Sequence, residues 1–479
     1  MKPNLWQDPL PARITFDEWA ELFETVPDEL IQSFRYFRRP DESESPRVHS
    51  DTSNHWSQYL FPPQTFAIYG CRHLRRLKFD NSLAALRLWG FVQNETERLF
   101  RARQIGRHVI ATMGDLGAVP VIVNSFPDCI AFYPDCSWWT PFVMESKVLL
   151  ETAAELGIGE ATCFSRAALA AFARRAYFPV PEMVIAATGA SCDDYSGVEQ
   201  LVADIARELL WVELPLRRLG TCQTFTGMVY EAQARELLVS EFRRVVERLE
   251  HLTGCRVTDE ELGRSIRRTN RLRRMVMELR RLAYGDGVLP ALEMMVVEFG
   301  NLHCYSDPDE WERVVEHLLQ TARQRRQANR RVVLEDALRL VWVTPPADPL
   351  LLTFVEDRGA RLVGTEYVIN QALEPIDEEK EPLTAIAESF MAASLIGTSR
   401  QRSELIIQQL YANRAEGVVI SGILGGSHCA MEARLIADRV KAETGLPVLE
   451  FDVAPPAREI DRQLATRIEA FLELLRDKR

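Results

Sequence analysis

Short apolar runs, each closed by turn residues and followed by a helical pattern, limit this chain to a few fold classes. The stretches 182–188 (EMVIAAT), Leu338–Val343 (LRLVWV) and 417–424 (GVVISGIL) are nearly continuous apolar runs of strand length. A strand with no polar side must be covered on both faces, as in a parallel sheet flanked by helices. Helical periodicity between such runs is the pattern of βαβ units. The expected fold class is α/β: two doubly wound parallel-sheet domains with a helical N-terminal extension and a helical insert.

The pattern divides the chain into four parts. Residues 1–85 read as an extension, with a polar, Pro-bounded loop at 39–46. Residues 86–228 read as a first α/β domain. In it we expect a long helix over 95–112, a short apolar run at 119–124 and a helix over 144–156 that stops at Gly157. A helix over 165–175, the strand 182–188, a helix over 196–210 and a strand at 211–214 follow. Residues 229–330 are charged and helical, with helices expected over 230–252, 259–282, 290–298 and 308–329. Residues 331–479 read as a second α/β domain. Its expected strands are 338–343, 361–365, 417–424 and 446–452, with helices over 348–358, 403–413, 430–443 and 459–476.

Composition narrows the function. The chain has 479 residues, 47% hydrophobic and 26% charged, which is ordinary for a globular protein. Its net charge of −12 argues against a general nucleic-acid or anionic-membrane binder, both of which need a basic surface. No charged start with an apolar h-region opens the sequence, and no run approaches the roughly 20 apolar residues of a membrane span. A cytoplasmic protein is expected. Its nine cysteines are odd in number, irregularly spaced and never in a CxxC pair. That pattern opposes a disulfide framework, a zinc ribbon or a ferredoxin-type run.

Three of those cysteines stand where a strand is expected to give way to a helix. They are Cys163 (in ATCFSR), Cys192 (in GASCDD) and Cys429 (in GGSHCA). Loops beyond strand ends are where open α/β sheets place ligands and chemistry. Three thiolates from three loops can hold one iron–sulfur cluster and leave one iron without a protein ligand. A helix N-terminus lowers a thiol pKa and favours an anionic group. The plain alternative is three small buried core residues, since free cysteine packs well in cores. His428 could hydrogen-bond a cluster or be structural. Cys129 and Cys136 read as structural. The basic run 264–281 reads as a solvated helix face in an acidic chain.

From about residue 90 onward the chain resembles the catalytic subunits of the 2-hydroxyacyl-CoA dehydratase and benzoyl-CoA reductase family. The motifs are 156–163 (LGIGEATC), the Cys192-Asp193 pair, 418–429 with Glu432 and Leu435, and the closing stretches 445–452 and 466–471. The resemblance implies one 4Fe–4S cluster held by Cys163, Cys192 and Cys429. It implies a heterodimer with a homologous second catalytic subunit, and an ATP-hydrolysing iron–sulfur activator that supplies a low-potential electron. The electron reaches the carbonyl of a CoA-thioester substrate and makes a ketyl radical anion, which expels a hydroxyl in dehydratases; in benzoyl-CoA reductases the electrons enter the ring. Dehydration, ring reduction and an electron-relay subunit with no substrate of its own all stay open at this level. So does a cluster-free binding module.

Overall fold

The structure is a computed structural model. It describes residues 12–27, 63, 74–113, 116–134, 147–159, 162–176, 178–216, 232–303, 306–346, 348–367, 373, 375–423, 426–453 and 460–479. For Lys147, Leu302, His303, Ser427, His428 and Val453 it describes the backbone alone.

Two four-stranded parallel sheets organise the molecule. The first contains β3 (His108–Thr112), β4 (Cys129–Phe132), β5 (Met183–Gly189) and β6 (Leu209–Leu214), in the order β4-β3-β5-β6. The second contains β7 (Leu338–Val343), β8 (Ala360–Glu366), β9 (Gly417–Ile423) and β10 (Val448–Val453), in the order β8-β7-β9-β10. Both sheets therefore have their second strand beside the first on one side and their third and fourth on the other. The direction of travel reverses between β3 and β5, and again between β7 and β9.

Period-2 alternation sends neighbouring residues to opposite faces. Ile110 enters one core while Val109 and Ala111 enter another. In the same way Leu340 and Trp342 face one core, and Val341 and Val343 face another. Helices cover all four faces, so the doubly wound reading holds. The covering helices of the first half include α3 (Glu95–Gln104), α4 (Val119–Val123), α6 (Arg166–Arg174) and α7 (Asp193–Val202), with α5 (Lys147–Glu155) packed on α6. Those of the second half are α12 (Leu350–Asp357), α14 (Ser399–Ala412), α15 (Ala433–Thr444) and α16 (Arg462–Asp477).

Four helices between the halves link their cores. They are α8 (Ala232–Thr253), α9 (Asp259–Arg280, extended by a π turn, Arg281–Asp286), α10 (Ala291–His303) and α11 (Pro308–Gln327). A Thr258–Glu261 capping box starts α9. Leu262 and Ile266 of α9 pack on the first sheet, while Val276 and Leu279 pack on the side of the second. The basic run on this helix is largely paired: Arg271 meets Glu312 at 3.1 Å, and Arg268 meets Asp309. Helix α13 (Pro382–Met391) lies in sequence between β8 and β9, yet its Leu383, Ile386 and Phe390 pack against the first sheet.

The N-terminal segment forms a small antiparallel pair, β1 (Arg13–Thr15) with β2 (Lys78–Asp80), and helices α1 (Phe16–Glu24) and α2 (Leu83–Gln93). Trp19 stacks on Phe79 at 4.3 Å inside the core of the second half. Each fully buried aromatic of this kind contributes about 1.5–3 kcal/mol by leaving water. Arg325 of α11 pairs with buried Asp80 and also donates to Asn81 (3.1 Å), which ties the extension to the link helices.

Two sequence expectations need correction, and one run left unassigned takes its form here. The stretch 95–112 is not one helix: α3 ends at Gln104, Gly106 turns with φ 85°, and 108–112 is β3, next to the reversal point. The run at 119–124 is the short helix α4, started by Pro120 in its first turn. The helix expected over 196–210 spans Asp193–Val202, and β6 begins at Leu209. No helix among the described residues is long and apolar enough to cross a membrane.

Candidate active site at the strand ends

Cys192 sits where β5 meets α7. Gly189 ends the strand with φ 85°, and a Cβ there would lie 2.5 Å from the Leu214 carbonyl oxygen. Only glycine has both the conformation and the room. Ala190 N–H then donates to that same carbonyl at 2.8 Å, and the chain enters α7 with Cys192 as its N-cap. Two hydroxyls fix the turn: Ser196 Oγ donates to the Ala187 carbonyl (2.9 Å) and lies 2.8 Å from buried Ser191 Oγ. Cys192 Sγ lies 3.9 Å from Asp194 Oδ2.

Cys429 occupies the matching place in the second half. It lies in a π-helical turn, Ser427–Met431, between β9 and α15. Gly426 packs against it so closely that a Cβ would meet Cys429 Cβ at 3.3 Å. Ala430 N–H bonds the Gly426 carbonyl at 2.8 Å and closes the turn.

Cys163 corrects the expectation that all three cysteines follow strands. It comes after α5, where Gly157 (φ 98°) ends the helix and Ile158 N–H returns to the Ala153 carbonyl at 3.0 Å. The thiol therefore sits in a helix–helix corner at the start of α6. Arg166 and Ala167 bond the Cys163 and Phe164 carbonyls at 3.2 and 2.8 Å and begin that helix. Ser165 serves the sulfur twice, through its N–H (3.4 Å) and its hydroxyl (2.9 Å).

The three corners lie near enough for charge on one to act on another. As residues, Cys163, Cys192 and Cys429 each keep some exposed surface. Burial is nevertheless the main reason the Cys163 thiol is pushed up to about 12, with the Asp194 charge next and Cys429 also contributing. Burial likewise raises Cys429, and Cys192 is the strongest charged neighbour that adds to it. The structure thus brings together Cys163 and Cys192 from the first half and Cys429 from the second. Asp194 acts on both outer thiols and touches the third; the sequence pointed to it only as a neighbour of Cys192.

A buried charge bridge stands behind Cys429. Arg402 of α14 is fully buried. It donates to Glu366 at the end of β8 through Nε (3.0 Å) and Nη2 (2.7 Å), and to Glu432 through Nη1 (2.6 Å). Both Arg402 and Glu366 act on the Cys429 thiol. Glu366 also forms part of the wall of a cavity of about 460 Å³, with Gly364, Tyr367, Leu405 and Gln409. No local sequence signal marks Arg402, because its partners lie 36 and 30 residues away.

The chain matches the model of the family described as 2-hydroxyglutaryl-CoA dehydratase, D-component, over residues 141–475. That span is more than two-thirds of the chain. The protein belongs to this dehydratase family. A comparison with curated proteins finds no match. The matched span includes all three converging cysteines and the Arg402 bridge.

Three cysteines are the ligand type that an iron–sulfur cluster takes. Among the described residues, no three His, Cys, Asp or Glu side chains are grouped to hold a single metal. Cluster ligands bind separate corners and need not meet at a point. Buried thiols with raised pKa values resist ionising alone, and iron supplies the positive charge that makes thiolates favourable. The backbone N–H of Ser165 is the kind of donor that steadies a ligating sulfur. Cys129, at the start of β4, is 3% exposed and is pushed up to about 12 by burial, as fits a structural core residue. Cys71, Cys136, Cys222 and Cys304 lie outside the described residues, as does the His428 side chain.

Proposed function

We propose that this chain is the iron–sulfur subunit of a 2-hydroxyacyl-CoA dehydratase. In this reading Cys163, Cys192 and Cys429 hold one 4Fe–4S cluster, a homologous second subunit completes the enzyme, and an ATP-hydrolysing iron–sulfur activator delivers the electron. The observation that carries it is the convergence of three thiols, from two sheets and a helix corner, in a protein of the dehydratase family.

When bound, such a cluster supplies an iron without a protein ligand, able to polarise a thioester carbonyl, and a source of one electron. The chain's own groups do the holding. The backbone N–H of Ser165, at the start of α6, is directed at the Cys163 sulfur, which favours thiolate over thiol. Ser165 fixes the Cys163 sulfur through both of its donors. Asp194 adds negative charge beside the sulfurs and so opposes any further anion there except one bound to iron. The cavity walled in part by Glu366 has room for a small acyl chain. Nothing in the geometry favours ring reduction over loss of a hydroxyl.

Anaerobic incubation of the assembled enzyme with ATP, activator and a 2-hydroxyacyl-CoA tests this. We expect ATP-dependent loss of water to give the 2-enoyl-CoA, followed by mass spectrometry. An iron-loaded enzyme that converts no 2-hydroxyacyl-CoA would contradict the dehydratase reading and leave an electron-relay subunit.

A further inference from the structure

Three charged side chains, from a strand end and two crossovers, meet behind Cys429. Glu366 closes the edge strand β8, Arg402 lies in the first turn of α14, and Glu432 follows the cysteine's π turn by one residue. Arg402 is 0% exposed and Glu366 5% exposed, while the Glu432 side chain keeps 21% of its surface. A guanidinium taken out of water costs several kcal/mol unless its donors are met, so this position is retained against a penalty. Its fork suits a bidentate carboxylate, and the bonds to Glu366 at 3.0 and 2.7 Å have that form. The remaining arm, to Glu432 at 2.6 Å, holds the start of α15.

The turn at Cys429 needs such an anchor. A π turn is a locally unfavourable winding and is common at functional sites. At Cys192 the turn is held by Ser191, Ser196 and the Gly189 turn.

We propose that Arg402 is a positioning residue for Cys429: held between Glu366 and Glu432, it ties the cysteine's turn to the end of β8 and sets the charge beside its sulfur. This rests on the reading of Cys429 as a cluster ligand. The trio carries one net negative charge, two carboxylates against one guanidinium. Removing a carboxylate leaves the cluster beside more positive charge and makes it easier to reduce. Removing the guanidinium does the reverse.

The test uses anaerobically purified, iron-loaded full-length protein and two readouts: the midpoint potential of the cluster by EPR-monitored titration, and the rate of iron loss to a chelator. Glu432→Gln should raise the potential, and Arg402→Met should lower it. Arg402→Lys, which keeps the charge but loses the fork, should keep the potential near that of the parent. All three should lose iron several-fold faster. Opposite shifts are the signature, because a purely structural role moves both variants the same way. Where Arg402→Met does not fold, Glu432→Gln and Arg402→Lys carry the test, since both leave Glu366 a cationic partner. Unchanged potentials and unchanged iron loss in a loaded Glu432→Gln protein would overturn the inference and leave the cluster reading intact. A parent protein that takes up no iron would overturn both.

Discussion

The two halves of the molecule put a cysteine at the same topological position and hold it by different physics. In each sheet the third strand of the order 2-1-3-4 runs into a small-residue loop, then a cysteine, then a helix. That position borders the crevice where open sheets bind ligands. In the first half a left-handed glycine, neutral hydroxyls and an N-cap geometry fix Cys192. In the second half a π turn and a buried Glu–Arg–Glu bridge fix Cys429. The third thiol breaks the likeness. Cys163 comes from the connection between β4 and β5, and the matching connection of the second half, residues 367–416, contains no cysteine. Topology therefore supplies two positions, and a local helix corner supplies the third.

The largest effect expected from this comparison is on metal content. Cys163→Ala, Cys192→Ala and Cys429→Ala should each strip most of the iron from anaerobically reconstituted protein. Cys129→Val and Cys255→Ala should leave it unchanged, because Cys129 is a core residue of β4 and Cys255 lies exposed outside the site. Retention of full iron by Cys429→Ala would break the claim that both halves contribute, and retention by Cys163→Ala or Cys192→Ala would remove that residue from the ligand set.

The two glycine turns should differ in cost. Gly189→Ala forces a side chain into φ 85° and against the Leu214 carbonyl at 2.5 Å, so it should destabilise by roughly 2–4 kcal/mol in urea unfolding. Gly426→Ala meets only contacts of 3.2–3.3 Å at an ordinary φ of −78° and should cost about 1 kcal/mol. Equal costs would show that the first loop is not held by its glycine.

A last effect, confined to high pH, separates a core thiol from the site. The Cys129 thiol is pushed from 9.0 up to about 12, mainly by burial. The folded state keeps that proton where the unfolded state releases it, so its stabilising effect is whole below pH 9 and is lost as pH rises toward 12. Cys129→Val lacks the group. It should lose less stability than the parent above pH 9, by at most about 1.4 kcal/mol per pH unit. Parallel pH profiles would contradict the assignment of Cys129 to a dry core.

The second half was more legible in the sequence than the first. LRLVWV at 338–343 and GVVISGIL at 417–424 are apolar on both sides and flanked by turn residues, and both are strands of the second sheet. The strand β3 escaped notice because HVIAT follows α3 after only three residues and extends its apolar pattern. β4 has only four residues, too few for a period to show. Helix α13 was invisible as a partner of the first sheet, since packing across the chain leaves no local mark. The same reason hides Arg402. The three cysteines were legible because loop composition and motif order surround them. The helix corner at Cys163 was not, because a glycine stop reads alike after a strand or a helix.

The most direct measurement of the central claim is iron and sulfide content, with an EPR spectrum, of anaerobically purified and reconstituted protein. The account predicts about four irons and four sulfides per chain with a reducible cluster signal, all lost in the Cys192→Ala and Cys429→Ala proteins alike. A colourless protein with no iron after reconstitution would contradict it, and the three converging thiols would then be core residues of an α/β protein without a cluster.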